Sequence, residues 1–128
     1  MNDLGKVIGK RVGAPKWIIG TAASMDGYAS TVAALVRNNL KVTEYYDPPK
    51  VIIGDTAILA KAPRAMTLAG IGDMAAKYNS GLDWRLSHLI TGEYYCEFVA
   101  NAMLEVTDQI MDLALEAPEE GEFGDDLL

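Results

Sequence analysis

The chain has 128 residues, half of them hydrophobic, with 18 acidic against 11 basic side chains and a formal net charge of −7. That length allows one domain or parts of two, and so acidic a surface excludes nucleic acid or an anionic membrane as the main partner. The apolar runs are too short to span a bilayer, no basic-then-apolar signal segment opens the sequence, and the single cysteine, Cys96, forms no internal disulfide, so the composition describes a cytoplasmic protein.

The stretch NDLGKVIGKRVG reads as an amphipathic helix, with Asp3 in its first turn and Gly13 as its stop. KWIIG, residues 16–20, is a short continuous apolar strand of the kind buried in parallel sheets. The small-residue loop GTAASMDGYAS follows. TVAALVRNNLKVTEYY then splits into two strand-like runs around Asn38 and Asn39, a pair that tolerates left-handed backbone and suits a tight hairpin. Pro48 and Pro49 close that excursion, and KVIIGD, residues 50–55, is a second buried strand.

From Pro63, well placed as a first helical residue, the texture becomes helical. The side chains expected to pack are Met66, Met74, Tyr78, Leu82, Leu86 and Leu89. A break near Ser80 and Gly81 would shorten the helical path, Asp83 and Trp84 read as the start of a new helical turn with Asp83 as its cap, and a last helix runs from about Glu93 to Glu116. The tail APEEGEFGDDLL reads as an acidic, turn-rich linker. Two buried strands and a hairpin make an incomplete sheet, so the sequence reads as a piece of a larger fold: α/β up to residue 61 and all-α from residue 62.

Two places could carry chemistry. Ligands of open α/β sheets sit beyond the carboxyl ends of strands, where the loop after KWIIG lies. Its small residues let a ligand approach the backbone, Thr21 and Ser24 offer hydroxyls, Gly27 permits a positive φ, and Asp26 can accept a hydrogen bond from a substrate hydroxyl. Read locally, Asp26 is equally a turn cap. The second place is AGIGDMAAKY, where Asp73 and Lys77 share a helix face. Gly70 and Gly72 each cost a helix about 1 kcal/mol relative to alanine, and are tolerated where a backbone or ligand comes close. Asp73 there is either an oxygen ligand for a divalent metal or half of a solvated ion pair with Lys77. A continuous helix would set His88 roughly 22 Å from Asp73, which makes it a surface or interhelical histidine. Cys96 reads as a small buried hydrophobe, and Tyr94 and Tyr95 as packing residues.

In order and spacing, NDLGK, TAASMDGYAS, LKVT, AGIGDMAAKY and LDWRLSHLITGEYYC resemble the sn-glycerol-1-phosphate dehydrogenase family, nearest its bacterial AraM-like branch. That family lies within the iron-type alcohol dehydrogenase, glycerol dehydrogenase and dehydroquinate synthase superfamily. The resemblance implies part of a Rossmann-like NAD(P)-binding domain over residues 1–61, with the β-hairpin as an excursion. It implies part of a helical domain holding a divalent metal (zinc, or nickel or iron) over residues 62–128. The reaction implied is reduction of dihydroxyacetone phosphate to sn-glycerol 1-phosphate by NAD(P)H.

By the same resemblance, Asn2 and Asp3 end the dinucleotide loop, and Thr21, Ala22, Ala23, Ser24 and Ser30 contact the nucleotide. Asp26 binds substrate, while Asp73 ligates the metal and touches substrate. The family's glycine triplet would precede Met1 and its two histidine ligands would follow this chain, so the expectation is a central fragment inactive alone. Gly20 stands where the family has proline. Asp73, where dehydroquinate synthase carries glutamate, favours the glycerol-1-phosphate enzyme. A non-catalytic split-gene remnant and a glycerol dehydrogenase-like polyol dehydrogenase are the alternatives, and the longer protein could form a homo-oligomer.

Overall fold

The computed structural model describes residues 2–117; the acidic tail expected as a linker lies, beyond Ala117, outside the described residues. Helix α1 (Asn2–Val12) ends at Gly13, whose φ of +67° is the left-handed backbone a helix stop uses. Strand β1 (Trp17–Gly20) leads into the small-residue loop, which contains a 3-10 turn at Asp26–Tyr28. Strands β2 (Val32–Arg37) and β3 (Leu40–Tyr45) pair antiparallel. Asn38 and Asn39 join them at φ 50° and 63°, the double left-handed geometry of a type I′ turn. Strand β4 (Val51–Gly54) returns to pair parallel with β1, in register from Trp17 opposite Val51 to Gly20 opposite Gly54. The hairpin is a separate two-stranded sheet beside this parallel pair.

Every element after β4 among the described residues is helical: the short α2 (Thr56–Leu59), α3 (Arg64–Ala75), α4 (Lys77–Thr91) and α5 (Glu97–Glu116). None of the described helices is long and apolar enough to cross a membrane. Asp55 caps α2, its carboxylate accepting from the Ala57 N–H at 2.9 Å. This is the mixed α/β arrangement followed by helices that the sequence pattern predicts.

Several details differ from the sequence expectation. Pro63 is the N-cap of α3, not its first helical residue, because its ψ of 130° turns its carbonyl toward the Met66 N–H, 2.7 Å away. The helical break falls at Ala76, and Gly81 and Asp83 lie inside α4, so Asp83 caps nothing. α5 starts four residues later than expected. Gly92 ends α4 in left-handed geometry, and residues 93–96 strap back over it. There the Trp84 Nε1–H donates to the Tyr94 carbonyl at 2.8 Å, and His88 Nδ1 lies 2.6 Å from the Glu93 carbonyl.

The leucine stripe also faces the other way. Leu82 and Leu89 are 67% and 72% exposed, with Met66, Tyr78 and Leu86 exposed as well. α4 instead turns Lys77, Gly81, Trp84 and Ser87 inward, also at spacings of three and four, and Trp84 packs on Tyr95. The parallel strands are not buried either: Trp17 and Ile19 are 68% and 61% exposed. A parallel pair needs cover on both faces, and the described elements supply it mainly where Leu59 lies over Gly20 and Gly54.

The most buried large side chain is a lysine. Lys6 of α1 is 1% exposed. Its ammonium donates to the carbonyls of Val32 at 2.7 Å and Gly27 at 2.8 Å, to Ser30 Oγ at 3.0 Å and to Asp3 Oδ1 at 3.3 Å. Three N–H groups shared among four acceptors satisfy a charge that burial would otherwise penalise heavily. Asp3 uses its other oxygen to accept the Ala34 N–H at 3.3 Å. One ammonium thus fastens α1, the loop and the hairpin together. Lys6→Met leaves these acceptors without their donor and should cost about 2–4 kcal/mol in urea unfolding; a loss under about 0.5 kcal/mol would show that the hub is dispensable.

Candidate functional site

The loop after β1 is placed by contact with α3. A Cβ built on Gly70 would sit 2.0 Å from the Ala23 carbonyl oxygen and 3.4 Å from the Ser24 Cα. Only a glycine lets the loop backbone lie there. One turn further along the same face, Asp73 Oδ2 accepts the backbone N–H of Asp26 at 2.9 Å. One turn further again, the Lys77 ammonium contacts Asp26 Oδ2. Residues 70, 73 and 77, spaced three and four, are therefore a single docking face for the loop.

This docking brings the two acids singled out by the sequence to one place. Both line a cavity of about 140 Å³ with Ala23, Tyr28, Thr67 and Gly70. Asp73, near the end of α3, does not pair with Lys77 at the start of α4; Lys77 bonds the loop acid instead, and the three groups together carry one excess negative charge. The hydrogen bond that Lys77 donates to Asp26 raises the lysine's pKa above its ordinary 10.5, partial burial opposes the shift, and the Asp26 and Asp73 charges add to it. Gly27 does not use a positive φ, since the 3-10 turn satisfies it with ordinary backbone.

Among the expected nucleotide residues, Thr21 is exposed and Ala22, Ala23 and Ser24 are half-buried at the carboxyl end of β1. Neither the Thr21 nor the Ser24 hydroxyl has a partner among the described residues. Asn2 and Asp3 form the first turn of α1, and Lys6 ties that turn to Gly27 and Ser30 of the loop. A helix N-terminus beside a small-residue loop at the end of a parallel strand is chemistry that fits a pyrophosphate-bearing nucleotide. The Asp3 carboxylate and the Ser30 hydroxyl are engaged by Lys6, which leaves main-chain N–H groups and the free hydroxyls of Thr21 and Ser24 for a ligand.

A divalent metal fits less well. Among the described residues no group of three or more His, Cys, Asp or Glu side chains could hold an ion, whereas a working site takes about three protein ligands. His88 is exposed and stacks on Tyr95, apart from the acids. Cys96 is half-buried rather than buried, at the N-cap of α5. The N–H of Val99, then the Tyr94 hydroxyl, hold its thiol below its ordinary pKa. A larger cavity, about 440 Å³, lies between α1 and β1 under the exposed Trp17, and no acid pair converges on it.

The pattern of the iron-containing alcohol dehydrogenase family matches residues 1–63. Solved structures share the fold: glycerol dehydrogenase from Schizosaccharomyces pombe superposes with a TM-score of 0.78 at 22% identity, over 90% of this chain and 30% of that one. The chain belongs to the iron-containing alcohol dehydrogenase family. Within it, the chain is similar to glycerol-1-phosphate dehydrogenase [NAD(P)+] from Halalkalibacterium halodurans, 32% identical over 120 residues, covering 94% of this chain and 29% of that protein. The corresponding protein of Aeropyrum pernix is 38% identical over 102 residues, covering 80% of this chain and 29% of that protein. The chain thus spans less than a third of the length of these relatives.

Lys6 and Lys77 are the residues that sequence reasoning did not single out for the site. For Lys77 the i, i+4 spacing from Asp73 was visible, but its actual partner lies 51 residues away. Two glycines of α3 give opposite predictions. Gly70→Ala should cost about 1–3 kcal/mol by pushing the loop away. Gly72→Ala, with nothing within 4 Å of its built Cβ, should stabilise by about 0.5–1 kcal/mol. Thermal unfolding of the two variants checks the pair, and equal effects would contradict the close approach. The raised Lys77 pKa gives a third expectation: its stabilisation of the docked loop is complete below pH 10.5 and is lost as pH rises through the higher folded value. The stability difference between wild type and Lys77→Met should therefore be flat from neutral pH to 10.5 and shrink above it.

Proposed function

We propose that this chain carries the nucleotide loop and the acid pair of an NAD(P)-dependent dehydrogenase that reduces dihydroxyacetone phosphate to sn-glycerol 1-phosphate. The observation that carries the reading is the meeting of Asp26 and Asp73, from two distant stretches of chain, at one cavity beside a nucleotide-type loop. Identities of 32% and 38% to glycerol-1-phosphate dehydrogenases support this substrate over glycerol, since the likeness to glycerol dehydrogenases supports the fold alone. Residues 1–61 are read as part of the nucleotide-binding domain and 62–128 as part of the helical domain. The lone free cysteine is in keeping with the cytoplasm as the compartment.

In this reading the first turn of α1, with Asn2 and Asp3, and the loop from Thr21 to Ser24 hold the nucleotide, and Ser30 lies at its edge. Nicotinamide, when bound, supplies the hydride. Asp26 accepts a hydrogen bond from a substrate hydroxyl and so fixes the ketone against the loop. Asp73 positions Asp26 through its main-chain N–H and contributes a second carboxylate to the substrate's surroundings. Holding ketone and nicotinamide in register is the contribution these residues make to the rate. A divalent metal, zinc or in its place nickel or iron, would find one ligand here in Asp73. The others must come from outside the described residues, and no step is assigned to the metal.

The test is an assay of the enzyme containing this chain for oxidation of NADH and NADPH by dihydroxyacetone phosphate, against reduction of NAD by glycerol. Asp26→Ala should lower ketone turnover by roughly 10- to 150-fold, the worth of one charge-assisted hydrogen bond of about 1.5–3 kcal/mol. Nucleotide affinity should change little. Turnover that survives while nucleotide affinity collapses would sink the assignment of Asp26, and a preference for glycerol would sink the substrate.

A further inference from the structure

Lys77 follows Asp73 by four residues, the spacing at which a helical aspartate and lysine ordinarily pair. It takes another partner. Its ammonium contacts the carboxylate of Asp26, 51 residues earlier in the chain, while Asp73 Oδ2 receives the Asp26 N–H at 2.9 Å. The Lys77 side chain is 19% exposed and that of Asp26 48%, so a largely covered stem delivers the charge to the edge of the cavity. The exchange of partners has two consequences. One of two neighbouring carboxylates is neutralised where they would otherwise repel across the site. Asp73, spared an ion pair with Lys77 across the α3–α4 junction, gives Oδ2 to the loop and keeps Oδ1 as its other acceptor.

We propose that Lys77 is the positioning residue of the acid pair: it holds the carboxylate of Asp26 against the α3–α4 corner and, by doing so, stays off Asp73. The proposal rests on the reading of Asp26 as the substrate acid only for its functional meaning; the clamp itself is a property of this chain. When Asp26 loses its charge, Lys77 is released and moves to Asp73 across the α3–α4 junction.

Amide hydrogen exchange on the ¹⁵N-labelled chain tests this. Lys77→Met should lower the protection of the Asp26 amide roughly tenfold, the scale of one charge-assisted contact at a partly exposed site. Lys77→Arg, which keeps the charge, should restore most of it. Asp26→Asn should lower protection of the same amide to a similar extent, and the double variant with Lys77→Met should lose no more than either single one. Asp26→Asn leaves α4 intact, so it decides the matter even where Lys77→Met fails to fold. In that variant the side-chain ammonium resonance of Lys77 should show its contact moved to Asp73. Unchanged protection on loss of either charge, additive losses, or no rescue by arginine would each overturn the proposal. Because the readout is loop order, an intact clamp without ketone turnover indicts the proposed function, and turnover without the clamp indicts Lys77.

Discussion

The main chain at Ala23 lies so close to helix α3 that a single methyl group at position 70 would sit 2.0 Å from its carbonyl oxygen. That close approach sets everything else about the site. It lowers the loop far enough for the Asp26 N–H to reach Asp73, and it places the Asp26 carboxylate within reach of Lys77. With a side chain at position 70 the loop would stand off, and the two acids would belong to separate surfaces. A glycine that weakens its own helix is tolerated because the contact it permits joins the strand-bearing half of the chain to the helical half.

The loop is pinned from its other side by a charge. Lys6 gathers two carbonyls, a hydroxyl and a carboxylate from α1, the loop and the start of β2, and its burial is possible only because all four are oxygens. The loop between β1 and β2 is thus held by an ammonium on one flank and by a helix face on the other. Such double fixing is what a ligand-binding loop requires if its main-chain N–H groups are to be aimed before the ligand arrives. Asp3 and Ser30 take part in this fixing, so on the proposed reading they would serve a nucleotide through loop order.

Much of this was legible in the sequence where local geometry carries the signal. Asn38 and Asn39 declare the hairpin because few residue pairs accept two left-handed positions in succession. KWIIG and KVIIG declare strands by length and branching, and Gly70 announced that something must come close without saying what. Lys6 was not legible: within an amphipathic helix it looks like any solvated lysine, and three of its acceptors lie 21 to 26 residues away. The leucines at 82, 86 and 89 misled because the inward stripe of α4 is built from Lys77, Gly81, Trp84 and Ser87, whose small and polar members hide its period. The halt at Gly92 depends on how Glu93 to Cys96 fold back over α4, a tertiary fact.

The electrostatics of the site follow from the same docking. Two carboxylates line a small cavity, and the Lys77 ammonium sits on the loop acid rather than on Asp73, four residues before it. The site's charge pattern is therefore a consequence of where the backbone runs. The most direct measurement is of proton cross-relaxation between Gly70 Hα and Ser24 Hα in the labelled chain, since the Cβ position of one lies 3.4 Å from the Cα of the other. A strong cross-peak is predicted at neutral pH. Its absence in a folded chain, with the hairpin cross-peaks intact, would show that the loop is not seated on α3 and that Asp26 and Asp73 do not form one site.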